Sequence, residues 1–253
     1  MTPSIRHRIA RFVKRLRHET RAVAMIETAV TIPTLLFTSF AGLEIANMMV
    51  VHTRVSAIAL AAADNASRIA SGSNLAVPQV REVDVNDVFT GAQLQSGELN
   101  LLANGRIIIS SLETNVLGGQ WIHWQRCYGN YAVTSAYGPQ GTGVTNTAFL
   151  GMGDPGVEVQ ASPGNAIMFV EITYNYQPVV LGSLLNGSSL IEYEAAFAVR
   201  DSRDTSNIFN PSPAAVSRVC PTTGTARKKR NERAAIPQTW NWGNGWGNNG
   251  NGN

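Results

Sequence analysis

The sequence predicts an α+β chain. A long N-terminal helix, with a membrane half and then an amphipathic half, packs on an antiparallel sheet of about four strands. Three observations lead there. Residues 23–51 are almost wholly apolar and follow a basic leader. Residues 55–70 carry apolar side chains at three- and four-residue spacing. Between positions 106 and 200, four short runs are either alternating or continuously apolar, which is the strand signature.

The basic leader, residues 1–22, sets the polarity of the chain. It holds seven basic residues (Arg6, Arg8, Arg11, Lys14, Arg15, Arg17, Arg21) against Glu19, a net of +6. The whole chain carries only +3, so the remainder is −3. A second basic cluster, Arg227, Lys228, Lys229, Arg230 and Arg233, lies near the C-terminus. Charge confined to two short patches is unlike a nucleic-acid-binding face, which spreads through a fold, so no nucleic-acid partner is expected.

The membrane half is residues 23–51. From Thr28 to Leu43 no residue is charged. That is about 24 Å of helix, against a hydrocarbon core of ~30 Å. The segment spans if Glu27 and Glu44 sit near the two interfaces. Basic residues on one side place residues 1–22 in the cytoplasm and the rest outside. A cleaved signal peptide, cut near Ala61, is the competing reading. The length of the apolar run, Glu27 and Glu44 within it, and the helical pattern beyond it all speak against that. In residues 52–72, Val55, Ile58, Ala59, Ala62, Ala66, Ile69 and Ala70 form one stripe, with Arg54, Asp64 and Arg68 off it. Pro33 removes one backbone hydrogen bond, which membrane helices tolerate.

Residues 73–222 read as an exported α+β domain. Asn86 or Asp84 is the expected cap of a short helix reaching about Gln95, with Val88, Phe89, Ala92 and Leu94 partly clustered. Strands are expected at 106–112, 120–126, 166–176 and 192–200. In the third, Met168, Val170, Ile172, Tyr174 and Tyr176 oppose Glu171, Thr173 and Asn175. Such a sheet has one free face, which the amphipathic helix can cover. Residues 138–164 are rich in Gly, Pro, Thr and Asn and read as a long, functional or mobile loop. Residues 223–253 are a basic run and then a Trp/Gly/Asn-rich, disordered tail.

Cys127 and Cys220 are the only cysteines, both on the outer side of the expected membrane. An intramolecular disulfide is expected there, with free thiols or pairing to another chain as the alternatives. Of four histidines only His123 lies in the exported domain. A packed or surface histidine is the expectation, since no nucleophile or orienting acid can be assigned to it. No nucleophile elbow, zinc, phosphate-loop or dinucleotide motif occurs. The chain is expected to have no catalytic residue, metal or cofactor, and not to be an enzyme.

Ala22-Val23-Ala24-Met25-Ile26-Glu27 resembles the processing site of type IV prepilins. Those have a basic leader, a small residue before the cut, and a glutamate fifth in the mature chain. The resemblance implies cleavage between Ala22 and Val23 by a prepilin peptidase. It also implies that Glu27 pairs with the new amine of a neighbouring subunit. The family usually has glycine where Ala22 stands. Ile26-Glu27, Pro33, Gly42 and Glu44 are similar to the membrane segment of TadE-like pseudopilins of tight-adherence (Flp-type) pili. So, more loosely, are Trp124-Gln125-Arg126-Cys127, Tyr174-Asn175-Tyr176-Gln177-Pro178 and Val199-Arg200-Asp201-Ser202. Thr28 stands where major pilins carry an aromatic, which favours a minor component. The resemblance implies a pilin-like fold and a bacterial inner-membrane precursor, its C-terminal domain periplasmic, that passes to a pilus or the cell surface. It also implies pilin subunits and the Tad inner-membrane assembly platform as partners. The alternatives are a permanently anchored binding module (an adhesin or sugar-binding domain) and an anchored hydrolase built around His123.

Overall fold

A computed structural model describes residues 14, 20–69, 78–180, 182, 189–199 and 204–226. The C-terminal tail from Arg227 on and most of the basic leader lie outside the described residues. Contacts divide the chain into two units: Met1–Val50 with Gln177–Gly187, and Val51–Tyr176 with Ser188–Asn253.

The first element, α1, is a single 48-residue helix, Thr20–Ser67, with Pro33 inside it. Its N-terminal half exposes Val23, Met25, Ile26, Val30, Leu36 and Phe37. Its C-terminal half buries Val55, Ile58, Ala59, Ala62 and Ala66 almost completely. The stripe of three- and four-residue spacing is therefore the buried face of this half. Arg68 and Asp64 form a solvated ion pair one turn apart, 3.1 Å long, of little energetic weight.

The larger unit is built on a four-stranded antiparallel sheet. Its strands are β2 (Gly105–Thr114), β3 (Gln120–Tyr128), β5 (Ile167–Asn175) and β6 (Leu190–Ala198), in the order β3-β2-β5-β6. Tight pairing fixes which residues share a face. Ile107 lies opposite Tyr128 and Ile172, which pairs with Tyr193. His52 of α1 meets Tyr193 edge-on, ring centroids 6.0 Å apart, so the buried stripe covers this face. A second helix, α2 (Glu82–Ser96), adds to the same cover. Phe89 stacks on Tyr128 at 5.5 Å. Tyr174, on this face, donates its hydroxyl to Leu99 O over 3.0 Å.

The opposite face is covered as well. Residues 133–164 fold onto it, and Leu112, Ile122, Tyr137, Met152, Ala161 and Phe169 form a second apolar core. Glu171, on the face of β5 opposite Ile172, is 1% exposed. Its carboxylate accepts from Ser135 Oγ (2.6 Å) and Ala136 N (3.0 Å). Tyr137 donates to Glu194 Oε2 at 2.7 Å. The glycine-rich stretch is thus a packed strap. Gly143, at φ 85°, lets its backbone approach Gln120 O, where any Cβ would collide.

The start of α2 also departs from expectation. Neither Asn86 nor Asp84 is the cap; the helix opens at Glu82, after Arg81. Asp84 instead reaches back, accepting from Arg81 N (3.2 Å) and pairing with its guanidinium (2.6 Å). That hydrogen bond, helped by charge attraction, holds the Arg81 pKa above its ordinary value. Leu94 is 77% exposed and stands outside the apolar cluster. Short parallel pairs complete the unit: β1 (Gln79–Arg81) with β7 (Asp204–Phe209), and β4 (Val133–Thr134) with β8 (Thr225–Ala226).

Burial pushes the Tyr174 phenol above its ordinary pKa, partly offset by a hydrogen bond with Asn104. Below about pH 10 both folded and unfolded chains keep this proton, and its contribution is intact. Above that the unfolded chain releases it first, so stability falls with rising pH. A urea midpoint that drops between pH 8 and 10.5, less steeply in Tyr174→Phe, is the expected result. Equal slopes in both proteins would contradict it.

Candidate functional site: the apolar helix and the strapped edge

Two regions carry the residues singled out by sequence. The first is the N-terminal half of α1. Thr20 opens the helix, so the bond between Ala22 and Val23 lies in its first turn. Val23 is half exposed. Glu27 is exposed, and its carboxylate makes no hydrogen bond or ion pair among the described residues. The threonines nearby satisfy themselves. Thr28 Oγ1 donates to Ala24 O (2.7 Å), Thr34 to Val30 O (2.8 Å) and Thr38 to Thr34 O (3.0 Å). Internal satisfaction of this kind is what a helix in hydrocarbon needs. Val23–Ser67 is one helix long and apolar enough to cross a membrane.

Pro33 and Gly42 sit within this helix, and a Cβ on Gly42 would meet nothing within 4 Å. Nothing among the described residues explains a glycine there. Glu44 lies toward the outer end of the apolar half. It is 4% exposed. Its carboxylate accepts the backbone N–H groups of Val179 (3.2 Å) and Val180 (2.8 Å). Sequence reasoning missed both partners, because a backbone donor leaves no side-chain signature.

The second region is the free edge of β3. Cys127 and Cys220 form a disulfide with Cα atoms 4.9 Å apart. Cys127 N donates to Arg218 O at 2.8 Å, and Arg126 bridges to Val219, so residues 216–220 run as a strap along the edge. Arg218 lies over the Tyr128 ring at 4.9 Å and donates to Asn86 Oδ1 at 3.0 Å. Beneath the strap, Arg126 donates to Glu82 through Nη2 (2.6 Å) and Nε (3.0 Å). Ser217 Oγ adds a third bond to the same carboxylate at 2.7 Å. Both ends of this ion pair are nine-tenths buried or more.

A cleft of about 380 Å³ opens beside the disulfide, lined among others by Gln125, Val133, Ser135, Gln140 and Pro221. Gln140 Oε1 is occupied there by Gln125 N (3.2 Å) and Arg126 Nη1 (3.3 Å). His123 is not among its lining residues. Instead His123 stacks on Trp121 (4.4 Å) and its Nδ1 lies 3.0 Å from Glu113 Oε2. Ser111 Oγ donates to Glu113 as well, at 2.6 Å. The carboxylate therefore stands between serine and histidine. Activating a serine needs the imidazole in that middle place, and Ser111 is fully buried. This arrangement does not suit acyl transfer. Among the described residues no group of three or more His, Cys, Asp or Glu side chains is placed to hold a metal ion.

The helix residues and the Cys127–Cys220 edge belong to different units, and only Glu44 among the former meets a segment distant in sequence. No family model, curated protein or solved structure matches the chain.

Proposed function

We propose that the chain is a minor pilin of the TadE-like kind. It is inserted as a single-span precursor with residues 1–22 in the cytoplasm and trimmed between Ala22 and Val23. Through its freed helix it then joins or primes a tight-adherence pilus, which serves surface attachment. The observation that carries this is the state of α1. A long helix leaves one half apolar and uncovered, with an unpartnered carboxylate at Glu27, five residues after the small residue that ends a strongly basic leader. Apolar surface on that scale asks for lipid or for other chains. A charge inside it asks for a partner. Cleavage supplies one, since the new amine of Val23 on a neighbouring subunit complements Glu27.

Sequencing the N-terminus of the mature protein, made in cells with a prepilin peptidase, tests the reading. The expected chain starts at Val23. A product that still begins at Met1 or Thr2 would instead favour a permanently anchored binding module, for which the cleft beside Cys220 is the specific support. Glu27→Ala is expected to leave membrane insertion intact. It should lower incorporation into fibres about tenfold or more, the equivalent of one lost charge-assisted hydrogen bond. Co-purification with sheared pili reads this out, and unchanged incorporation would refute the pairing.

A further inference from the structure

Glu44 raises a question of span length. From Thr28 to Leu43 the helix offers about 24 Å of uncharged length, short of a ~30 Å hydrocarbon core. Beyond Glu44, the next ionisable residues are His52 and Arg54. If Glu44 needs no water, the run continues to Val51 and reaches about 36 Å.

The structure gives Glu44 a substitute for water. The donors come from Val179 and Val180 in the connection between β5 and β6, and the carboxylate is 4% exposed. The residues adjoining this contact in sequence are mostly apolar, with Gln177 and Asn47 the polar ones. Leu43, Ile45, Met49 and Val50 of α1 are 49–63% exposed, and Val179 is 70% exposed. The segment Gln177–Gly187, which belongs to the same unit as the N-terminal half of α1, contains no charged residue. A carboxylate solvated by backbone amides, flanked in sequence by exposed aliphatic side chains, suits a hydrocarbon boundary.

We propose that residues 177–180, which follow β5, are a second membrane contact. They seat beside α1 in the leaflet nearer residue 51, with acyl chains against Val179 and Glu44 as the polar latch that holds them there. The proposal rests on the reading of residues 23–51 as a membrane span. It gives Glu44 a role separate from that of Glu27, inside one chain and not between chains.

The test uses the full chain with one added cysteine, at Val179, at Val116 (99% exposed in the β2–β3 turn) or at Leu36. The native cysteines are bonded to each other, so only the added thiol takes an NBD label. The labelled proteins are placed in phosphatidylcholine–phosphatidylglycerol vesicles containing nitroxide lipids. Quenching at 179 and 36 about fivefold stronger than at 116 is expected. Quenching at 36 but not at 179 overturns the loop contact and leaves the span standing. Quenching at neither overturns both. A label at 179 reached by neither nitroxide lipid nor aqueous iodide is covered by another chain, which also overturns the lipid assignment. Glu44→Ala should reduce quenching at 179 to the level at 116, while Glu44→Gln, still an acceptor, should preserve it. Undiminished quenching in Glu44→Ala would remove the latch from the account.

Discussion

Replacing Cys127 and Cys220 together by serine is expected to destabilise the larger unit by roughly 4–5 kcal/mol. The bridge joins residues 93 apart. In the chain-entropy view, opening so long a loop returns much conformational freedom to the unfolded chain. The folded side loses support too. Cys220 belongs to the strap that covers the edge of β3, and the backbone contacts of Arg218 and Val219 with that strand are local. Domains of this size have total stabilities of about 5–15 kcal/mol, so the loss is a large share. Urea unfolding followed by tryptophan fluorescence, in the oxidised protein and in the double variant, measures it. Reduction with a thiol should reproduce the variant. A midpoint equivalent to a change below about 1 kcal/mol would show that the strap holds without its covalent tie.

How far the sequence foretold this architecture depends on whether a residue's partner is local. The stripe through Val55, Ile58, Ala59, Ala62 and Ala66 was legible because helical spacing alone sets which side chains share a face. The four main strands were legible for the same reason, each within two residues of its observed ends. For Glu171, alternation told which side it faced but not what would cover that side. Its partners, Ser135 and Ala136, lie some 35 residues away, just ahead of the Gly-rich stretch, and no local pattern marks them. The short pairs β1–β7 and β4–β8 have two or three residues in one of their strands, too few for any periodicity to show. At the N-terminal end of α2, the cap rule pointed to Asp84 or Asn86. There the Arg81–Asp84 pair won over a conventional side-chain cap, and Asn86 was drawn to Arg218 and Val216 O. In the candidate site, the charges were visible in the sequence and their partners were not. Glu44 meets backbone amides, which no residue type announces.

The second large effect is expected at Glu82. Glu82→Ala should cost about 3–5 kcal/mol, because it leaves Arg126 as a buried, unpaired cation. Three donors converge on this carboxylate: Arg126 Nε, Arg126 Nη2 and Ser217 Oγ. It stands at the first residue of α2, where a negative charge also suits the helix dipole. The pair ties α2 to β3, and Ser217 ties the disulfide strap to both. Two further variants separate the pair's net worth from the penalty of breaking it. Exchanging Glu82 and Arg126 together for methionine should be much milder than Glu82→Ala, since well-packed apolar side chains replace both desolvated charges. Ser217→Ala should cost about 1 kcal/mol, one neutral-donor hydrogen bond to a carboxylate that keeps its main partner. Chemical denaturation of the three variants gives the order directly. If Glu82→Ala proved no worse than Ser217→Ala, Arg126 must find water or another acceptor on losing its partner, and the strap would not depend on this ion pair.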